Sequence, residues 1–323
     1  MIDVKGKRVL FITTKNLDYI RNTQEINLIK KDCSKIDIIG SHKKSYPKRL
    51  IYVYFKLLIT SMKNYDTVFV GFAPQLILPI FSLKFRKVQV IIDFFISMYD
   101  TLAFDRKKFK PRSIAGRILK KIDAFTLKKA DIIISDTKAH GKYFVEEFGA
   151  VPEKINPLYL EADKNIFYPM EVQRPDNLKD KFVVLYFGSI LPLQGIDIIL
   201  KSFGLLKDEK NMYFYVIGPI SDKFNKPVSD NIEYIPWLSQ DKLAQYIAMS
   251  DLCLAGHFNK KNNKANRTIP GKAYIYEAMG KPMILGDNSA TRERYTDSNM
   301  TYFVEMGNPK ALAELIRKIG KGR

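Results

Sequence analysis

The stretch KANRTIPGKAYIYEAMGKPMILGDN, residues 264–288, decides how this chain is read. It sets three cations, Lys264, Arg267 and Lys272, around the start of a helix and puts one carboxylate, Glu277, inside that helix. Pro270 suits the first helical position, where a missing N–H costs nothing and φ is already set. Gly271 carries no side chain, so a ligand can approach the backbone there. The N–H groups of a first helical turn have no partner within the helix and favour an anion. Gly280 stops the helix and Pro282 follows it, after which residues 282–286 read as a strand. Glu277 is expected to be buried. From Gly271 to Glu277 is about 9 Å along a helix axis, enough to separate phosphates at the helix start from hydroxyls near the carboxylate.

Outward from this stretch the chain alternates strands and helices, which points to α/β architecture with parallel sheets. Residues 8–13 form the first apolar strand, followed by a polar loop over 14–22 at its carboxyl end. Helix 23–31, strand 36–40, helix 47–63, strand 67–71, helix 74–85 and strand 88–93 come next. Helix 114–130, strand 131–135 and helix 138–148 complete a first doubly wound domain. The alternation then breaks in a polar segment with Pro169 and Pro175 and no periodicity. It resumes with strand 182–187, helix 196–206, strands 212–217 and 232–235, helix 240–249 and strand 252–255, and closes with helices 292–297 and 309–319. The expected organisation is a first domain over 1–165, a linker over 166–180 and a second domain over 181–323. A chain of 323 residues fits two cores better than one.

In the second half, Phe187-Gly188-Ser189-Ile190-Leu191-Pro192-Leu193-Gln194-Gly195 lies between a strand and a helix. Gly188 and Gly195 let the backbone come close to a phosphate with a helix N-terminus behind it. A glycine-bearing loop alone says little, but this loop and the 264–272 stretch both leave the carboxyl edge of one sheet, where open α/β sheets bind ligands.

These residues resemble a family. FGSILPLQGIDIIL, VIGPI and RTIPGKAYIYEAMGKPMILGDNSATRE are similar to the nucleotide-sugar half of family 4 glycosyltransferases. IIDFFISMYDT, DRKKFKPR, ADIIISDTKAHGKYFVEEFG and ADKNIFYP agree more loosely. The resemblance implies the GT-B fold: two Rossmann-like doubly wound parallel-sheet domains facing a central crevice. It also implies retaining, metal-independent transfer of a sugar from a nucleotide diphosphate, with no metal or other cofactor. Glu277 matches the second of the family's two glutamates, the one that holds ribose hydroxyls. Ile269 stands where the first would be. Ile190 and Gln194 occupy a loop where the family carries Arg and Lys, so Lys264, Arg267 and Lys272 are expected to supply charge for the diphosphate. Arg267 is favoured for its planar fork. The expected donor site comprises Gly188, Ser189, Gly195, Lys264, Arg267, Pro270, Gly271, Lys272 and Glu277, with Arg267, Lys272 and Asp93 at the reacting centre. Asp93 follows a buried strand and either orients a substrate hydroxyl or caps the next helix; the cap is preferred for Asp100. His140 reads as an exposed helix histidine and His42 as surface, with His257 nearer the donor sugar.

The net charge is +19, and residues 1–170 carry 31 Lys and Arg against 17 Asp and Glu. Such a field attracts anionic partners. The segment PKRLIYVYFKLLITSMK (47–63) has apolar residues at helical spacing among cations, and RKKFKPRSIAGR (106–117) is a basic run. Both fit a membrane surface, although an apolar helix face normally packs on its sheet. No nucleic-acid module is found. Cys33 and Cys253, each beside an apolar run, point to free thiols in a reducing compartment. No secretory signal is read at the start, and no apolar run is long enough to span a bilayer. The expected protein is a cytoplasmic, peripherally membrane-bound enzyme taking a nucleotide-sugar donor and a glycan or lipid-linked acceptor. A nucleotide-sugar epimerase, a non-catalytic protein of the same architecture and a basic nucleic-acid binder are the rival readings.

Overall fold

Short strands, most of them apolar and buried, are gathered into two all-parallel sheets in the computed structural model, which describes residues 3–189 and 191–322. The chain divides into two units, Met1–Glu161 and Ala162–Arg323. In the first, the order is β1 (Arg8–Ile12), α1 (Ile20–Asp32), β2 (Lys35–Ile39), α2 (Tyr46–Ile59), β3 (Thr67–Val70), α3 (Leu78–Phe81), β4 (Gln89–Asp93), α4 (Ile114–Lys129), β5 (Ile132–Ser135), α5 (Lys138–Phe148) and β6 (Ile155–Pro157). The strands are arranged β2-β1-β3-β4-β5-β6. Side chains alternate across this sheet, as strand geometry requires. Leu10, Ile12, Val68, Val70, Val90 and Ile92 pack against Val53 and Leu57 of α2, Leu78 and Phe81 of α3, Leu127 of α4 and Phe144 of α5. Their neighbours Val9, Phe11, Phe69, Ile91 and Ile134 face the other way, onto Ile26 and Ile29 of α1.

The second unit runs β7 (Phe182–Phe187), α6 (Ile196–Gly204), β8 (Met212–Ile217), β9 (Ile232–Ile235), α7 (Gln240–Met249), β10 (Leu252–Gly256), α8 (Gly271–Ala278), β11 (Met283–Gly286), α9 (Ser289–Arg294), β12 (Thr301–Val304) and α10 (Pro309–Lys321). Its strand order is β12-β11-β10-β7-β8-β9. The order reverses direction between β7 and β10, the topological switch point at whose carboxyl ends such sheets open a ligand crevice. In the first unit the corresponding break lies between β1 and β3.

Several expectations shift. The region 74–85 is a 3-10 turn (Pro74–Leu76) and a single turn of α-helix, because Ala73 takes a left-handed conformation (φ 54) and Pro79 interrupts the backbone bonding. The region expected as helix 47–63 ends at Ile59, with a separate 3-10 turn at Met62–Asn64. The last short helix begins earlier than expected, at Ser289, where Asn288 and Thr291 form a capping box. β6 and β12 were not anticipated: both are edge strands, one three residues long and ending in proline, which an edge tolerates. Asp100–Asp105 forms a π-helical turn.

The end of β8 tests the tightness of this frame. Gly218 has φ +139, and a Cβ there would run into the carbonyl oxygen of Gly188 at the end of the neighbouring strand. Gly218→Ala is expected to destabilise the protein by about 1–3 kcal/mol, read from urea unfolding. Gly6→Ala serves as the control, since its Cβ meets nothing within 4 Å and only the φ of +69 is strained.

Candidate functional site

At the switch point of the second sheet, three strands end in glycines with positive φ: Gly188 after β7 (149°), Gly218 after β8 (139°) and Gly256 in β10 (93°). The missing side chains of Gly188 and Gly256 leave a recess that the chain fills with Lys272. A Cβ on Gly188 would lie 2.8 Å from Lys272 Cε and 3.0 Å from its Nζ. A Cβ on Gly256 would lie 3.6 Å from the same Nζ. Lys272 is the second residue of α8 and is 6 % exposed. Its ammonium donates to Gln194 Oε1, which also accepts from the Tyr186 hydroxyl at 2.9 Å. The same nitrogen stands 5.1 Å from the Tyr186 ring centroid, within cation–π range. Among the described residues no carboxylate forms an ion pair with it. Burial lowers its pKa to about 7.

The two loops expected to converge do so. Gln194 O accepts from Phe258 N at 3.2 Å, and Asn259 Nδ2 donates to Pro192 O at 2.7 Å. Leu193, from one loop, clusters with Ala265, from the other, and with Met306. Gly195 caps α6 with φ 71, packed against the backbone of Phe258 and Asn259. Ser189 is exposed, and Ile190 lies outside the described residues. Lys264 and Arg267 are half-buried, Lys264 within a 3-10 turn, Asn263–Asn266, and Arg267 directly after it. Lys264 O accepts from Arg267 N at 3.0 Å and from Thr268 Oγ1 at 2.9 Å, which folds the segment on itself. Ile269 is buried at 8 % exposure.

Three details correct the reading of the opening stretch. Pro270 is the residue before the helix, extended at φ −63 and ψ 131, and Gly271 is its exposed first residue. Glu277 is exposed, not buried: it lies near the carboxyl end of α8. Its Oε1 accepts from Arg294 Nη2 at 2.8 Å and its Oε2 from the Tyr295 hydroxyl at 3.1 Å. Gln194, read as an uncharged gap in the phosphate loop, is the acceptor that fixes Lys272. His257 is buried with φ 61, and its Nδ1 faces Thr268 O at 2.9 Å. A carbonyl can only accept, so Nδ1 carries the proton. Burial lowers the His257 pKa to about 3, with Lys272 and Lys264 adding to the effect against the raising influence of the Thr268 bond.

In the first unit, Asp93 is not open to substrate. It is 1 % exposed, and its two oxygens accept from Arg21 Nε and Nη2, each at 2.8 Å. It caps no helix either. Arg21 Nη1 donates to Leu158 O at 2.7 Å and stands 3.4 Å from Asp136 Oδ1. Glu25, one turn along α1, is fully buried 3.7 Å from Arg21 Nε, and burial, with Asp93 beside it, pushes its pKa well above the usual carboxylate range. Tyr19, Phe72 and Phe95 pack together beside the cluster, with Lys15 over Tyr19 and Phe72. His140 is buried against Phe144, contrary to the expected exposed position, 3.9 Å from Asp136. Asp100 is also buried and its N–H donates to Ser97 Oγ. Asp123 on α4 holds the same loop by accepting from Ser97 Oγ, Met98 N, Tyr99 N and Gln75 Nε2. His42 is exposed as expected, and both cysteines are free. The sequence sign for Arg21 was a cation one helical turn before a glutamate inside an otherwise ordinary helix, and it names no distant partner.

Comparison with known proteins places this geometry. Residues 181–321 match the family of glycosyl transferases group 1. The "Probable glycosyltransferase WbjE" of Pseudomonas aeruginosa is 25 % identical over 279 residues, covering 82 % of this chain and 69 % of that protein. The D-inositol 3-phosphate glycosyltransferase of Streptosporangium roseum is 20 % identical over 58 % of this chain, and the match spans 47 % of its own length. Anabaena HepE, solved in complex with UDP, superposes with a TM-score of 0.65 at 11 % identity, over 96 % of this chain and 89 % of that one. The fold is thus that of the GT-B glycosyltransferases.

The Arg21 cluster carries a test of its own. The side chains of Arg21 and Asp93 are 2 % and 0 % exposed, so deleting the cation strands a carboxylate in the interior. Arg21→Met is expected to cost about 3–5 kcal/mol, measured by urea unfolding of the purified protein.

Proposed function

We propose that this chain is a retaining, metal-independent glycosyltransferase. It moves a sugar from a nucleotide-diphosphate donor to a glycan or lipid-linked acceptor, in the synthesis of a surface polysaccharide or other glycoconjugate, at the inner face of a membrane. The observation that carries the reading is Lys272, a buried amine in a glycine recess at the switch point of the second sheet, with a neutral amide and aromatic rings around it. A buried cation without a carboxylate partner is held at a cost. A diphosphate arriving there supplies the missing anion. As the anomeric C–O bond breaks, negative charge grows on the departing phosphate, and a cation fixed beside it stabilises that charge more than it stabilises the bound donor. The ammonium takes the part a divalent cation plays elsewhere.

In this reading Gly188, Ser189 and Gly195 bring backbone close to the phosphates, with Pro270 and Gly271 opening the helix start. Lys264 and Arg267 flank the site. Glu277, its oxygens oriented by Arg294 and Tyr295, receives the ribose hydroxyls. With Ile269 buried and apolar, that position offers no carboxylate to the donor sugar. The neutral His257 keeps an Nε2 lone pair for it. The first unit takes the acceptor. Asp93 acts there through Arg21 rather than on substrate directly.

A thermal-shift series with uridine, guanosine and thymidine diphosphates tests the donor site. One of them is expected to raise the Tm of the wild type and to leave that of Lys272→Met unchanged. A folded wild type that responds to none of them overturns the reading.

The pH dependence has a definite sign. The lysine pKa is lowered from 10.5 to about 7 in the fold. Above about 7 the folded protein has released this proton while the unfolded chain still holds it. Stability of the ligand-free protein, measured relative to Lys272→Met, is therefore expected to rise with pH from about 7 towards about 10.5. Diphosphate affinity is expected to fall over the same interval as the ammonium is lost, measured by titration at pH values from about 7 to 9.

A further inference from the structure

A helix of a doubly wound domain normally buries one face on the sheet and gives a polar face to water. α2 does not. Its inner face is in the core, with Val53 and Leu57 fully buried. On the other side Ile51, Phe55, Leu58 and Ile59, at the i, i+4, i+7 and i+8 spacing that places residues on one helix face, are 69 %, 59 %, 67 % and 62 % exposed. The sequence shows one broad apolar helix, but the structure divides it into two opposite stripes, only one of which the sheet covers. Lys84, after α3, donates to the carbonyls of Leu57 at 2.5 Å and Leu58 at 2.8 Å. That bond holds the segment carrying exposed Leu83 at the carboxyl end of the outer stripe. Apolar patches of this kind on an otherwise charged surface mark a place where something docks.

The charge around the stripe says what docks. From Asp37 to Asp93 the chain carries a single intervening carboxylate, Asp66, and that one is ion-paired to Arg8. Over the same span lie Lys43, Lys44, Lys48, Arg49, Lys56, Lys63, Lys84, Arg86 and Lys87. A groove of about 270 Å³ on the stripe is lined by Lys43, Lys48, Ile51, Tyr52 and Phe55. Its two ammonium groups sit beside an apolar floor. α4, packed next to α3, continues the pattern with exposed Ile114 and Ile118 behind the basic run 106–112. Among the described residues, most exposed large hydrophobic side chains belong to the first unit. No helix of the described residues is long and apolar enough to cross a membrane.

We infer that the outer stripe of α2, with Leu83 at its end, is the surface by which this protein docks on an anionic lipid bilayer. Ile51, Phe55, Leu58 and Ile59 enter the headgroup–acyl boundary, and Lys43 and Lys48 meet lipid phosphates at the groove. This deepens the membrane-surface location proposed above and is independent of the donor site. A bilayer suits the stripe better than a second copy of the chain, because two copies would bring like-charged rims together.

The test is co-sedimentation with vesicles of phosphatidylcholine containing about one-third phosphatidylglycerol, and with phosphatidylcholine alone. The full-length protein is expected to bind the anionic vesicles, to bind the neutral ones far less, and to be released by salt. The double variant Ile51→Ser/Phe55→Ser changes two mostly exposed residues outside the core. It is expected to stay folded and to keep its diphosphate-induced thermal shift while its partition onto anionic vesicles falls at least about tenfold. Val228→Ser, at a lone exposed residue of the second unit, is expected to bind as the wild type does. Failure of the wild type to bind anionic vesicles overturns both the surface and the membrane location, leaving donor binding to stand on its own assay. Equal binding by wild type and double variant overturns the surface alone. A wild-type dimer in light scattering that the double variant dissolves assigns the stripe to self-association and overturns the proposal.

Discussion

One buried amine sets the terms for the second half of this chain. Lys272 occupies its recess because Gly188 and Gly256 carry no side chains and because Gln194 turns its carbonyl oxygen inward. Each requirement constrains another part of the fold. Gly188 and Gly218 must meet without Cβ atoms, which fixes the ends of β7 and β8 against each other. Gln194 must hold both Lys272 and the Tyr186 hydroxyl, which fixes the turn that leads into α6. The loop 257–269 must then fold over that turn, and it does so through Phe258, Asn259 and Ala265. The polar centre of the site and the packing of its walls are a single construction.

The first unit solves the complementary problem. There the buried cation is Arg21, and it is fully paired: Asp93 takes two of its donors and a main-chain carbonyl another. Arginine stays charged at any pH of interest, so this pair is a fixed brace between α1 and the end of β4. The lysine of the second unit has no such brace and titrates near neutrality. Of these two buried cations, one is paired with a carboxylate and the other is not; the proposed function gives the second one its anion.

Much of this was legible in the residues. The alternation of apolar runs gave both sheets, because strands covered on two faces are continuous in hydrophobicity. The stretch 264–288 showed its helix through the Pro-Gly start and the Gly280 stop, and the strand after it. The family likeness then pointed to Lys272 and to the glycine loop. What stayed hidden depends on partners far apart in the chain. Arg21 lies 72 positions from Asp93, and nothing local to either predicts the pair, so Asp93 read as a reactive carboxylate when it is a buried counter-ion. Glu277 looked buried because its helix is apolar around it, yet it emerges near the last turn beside Arg294 and Tyr295. The short edge strands β6 and β12 carry too few residues to show a period. The sequence showed α2 as one apolar helical face among cations; that it is two stripes, one covered and one exposed, depends on which side the sheet claims.

The state of Lys272 has a consequence for the solvent as well as for a ligand. In the proposed function an amine whose pKa burial lowers to about 7 must be protonated to face a diphosphate, so an arriving anion would draw a proton from the medium. The heat released on binding would then include the ionisation heat of whatever buffer gave that proton up, and would differ from buffer to buffer at one pH. With the donor site as proposed, the glycine recess would make the second unit a proton-coupled receptor, responsive to local acidity and to its ligand through the same nitrogen.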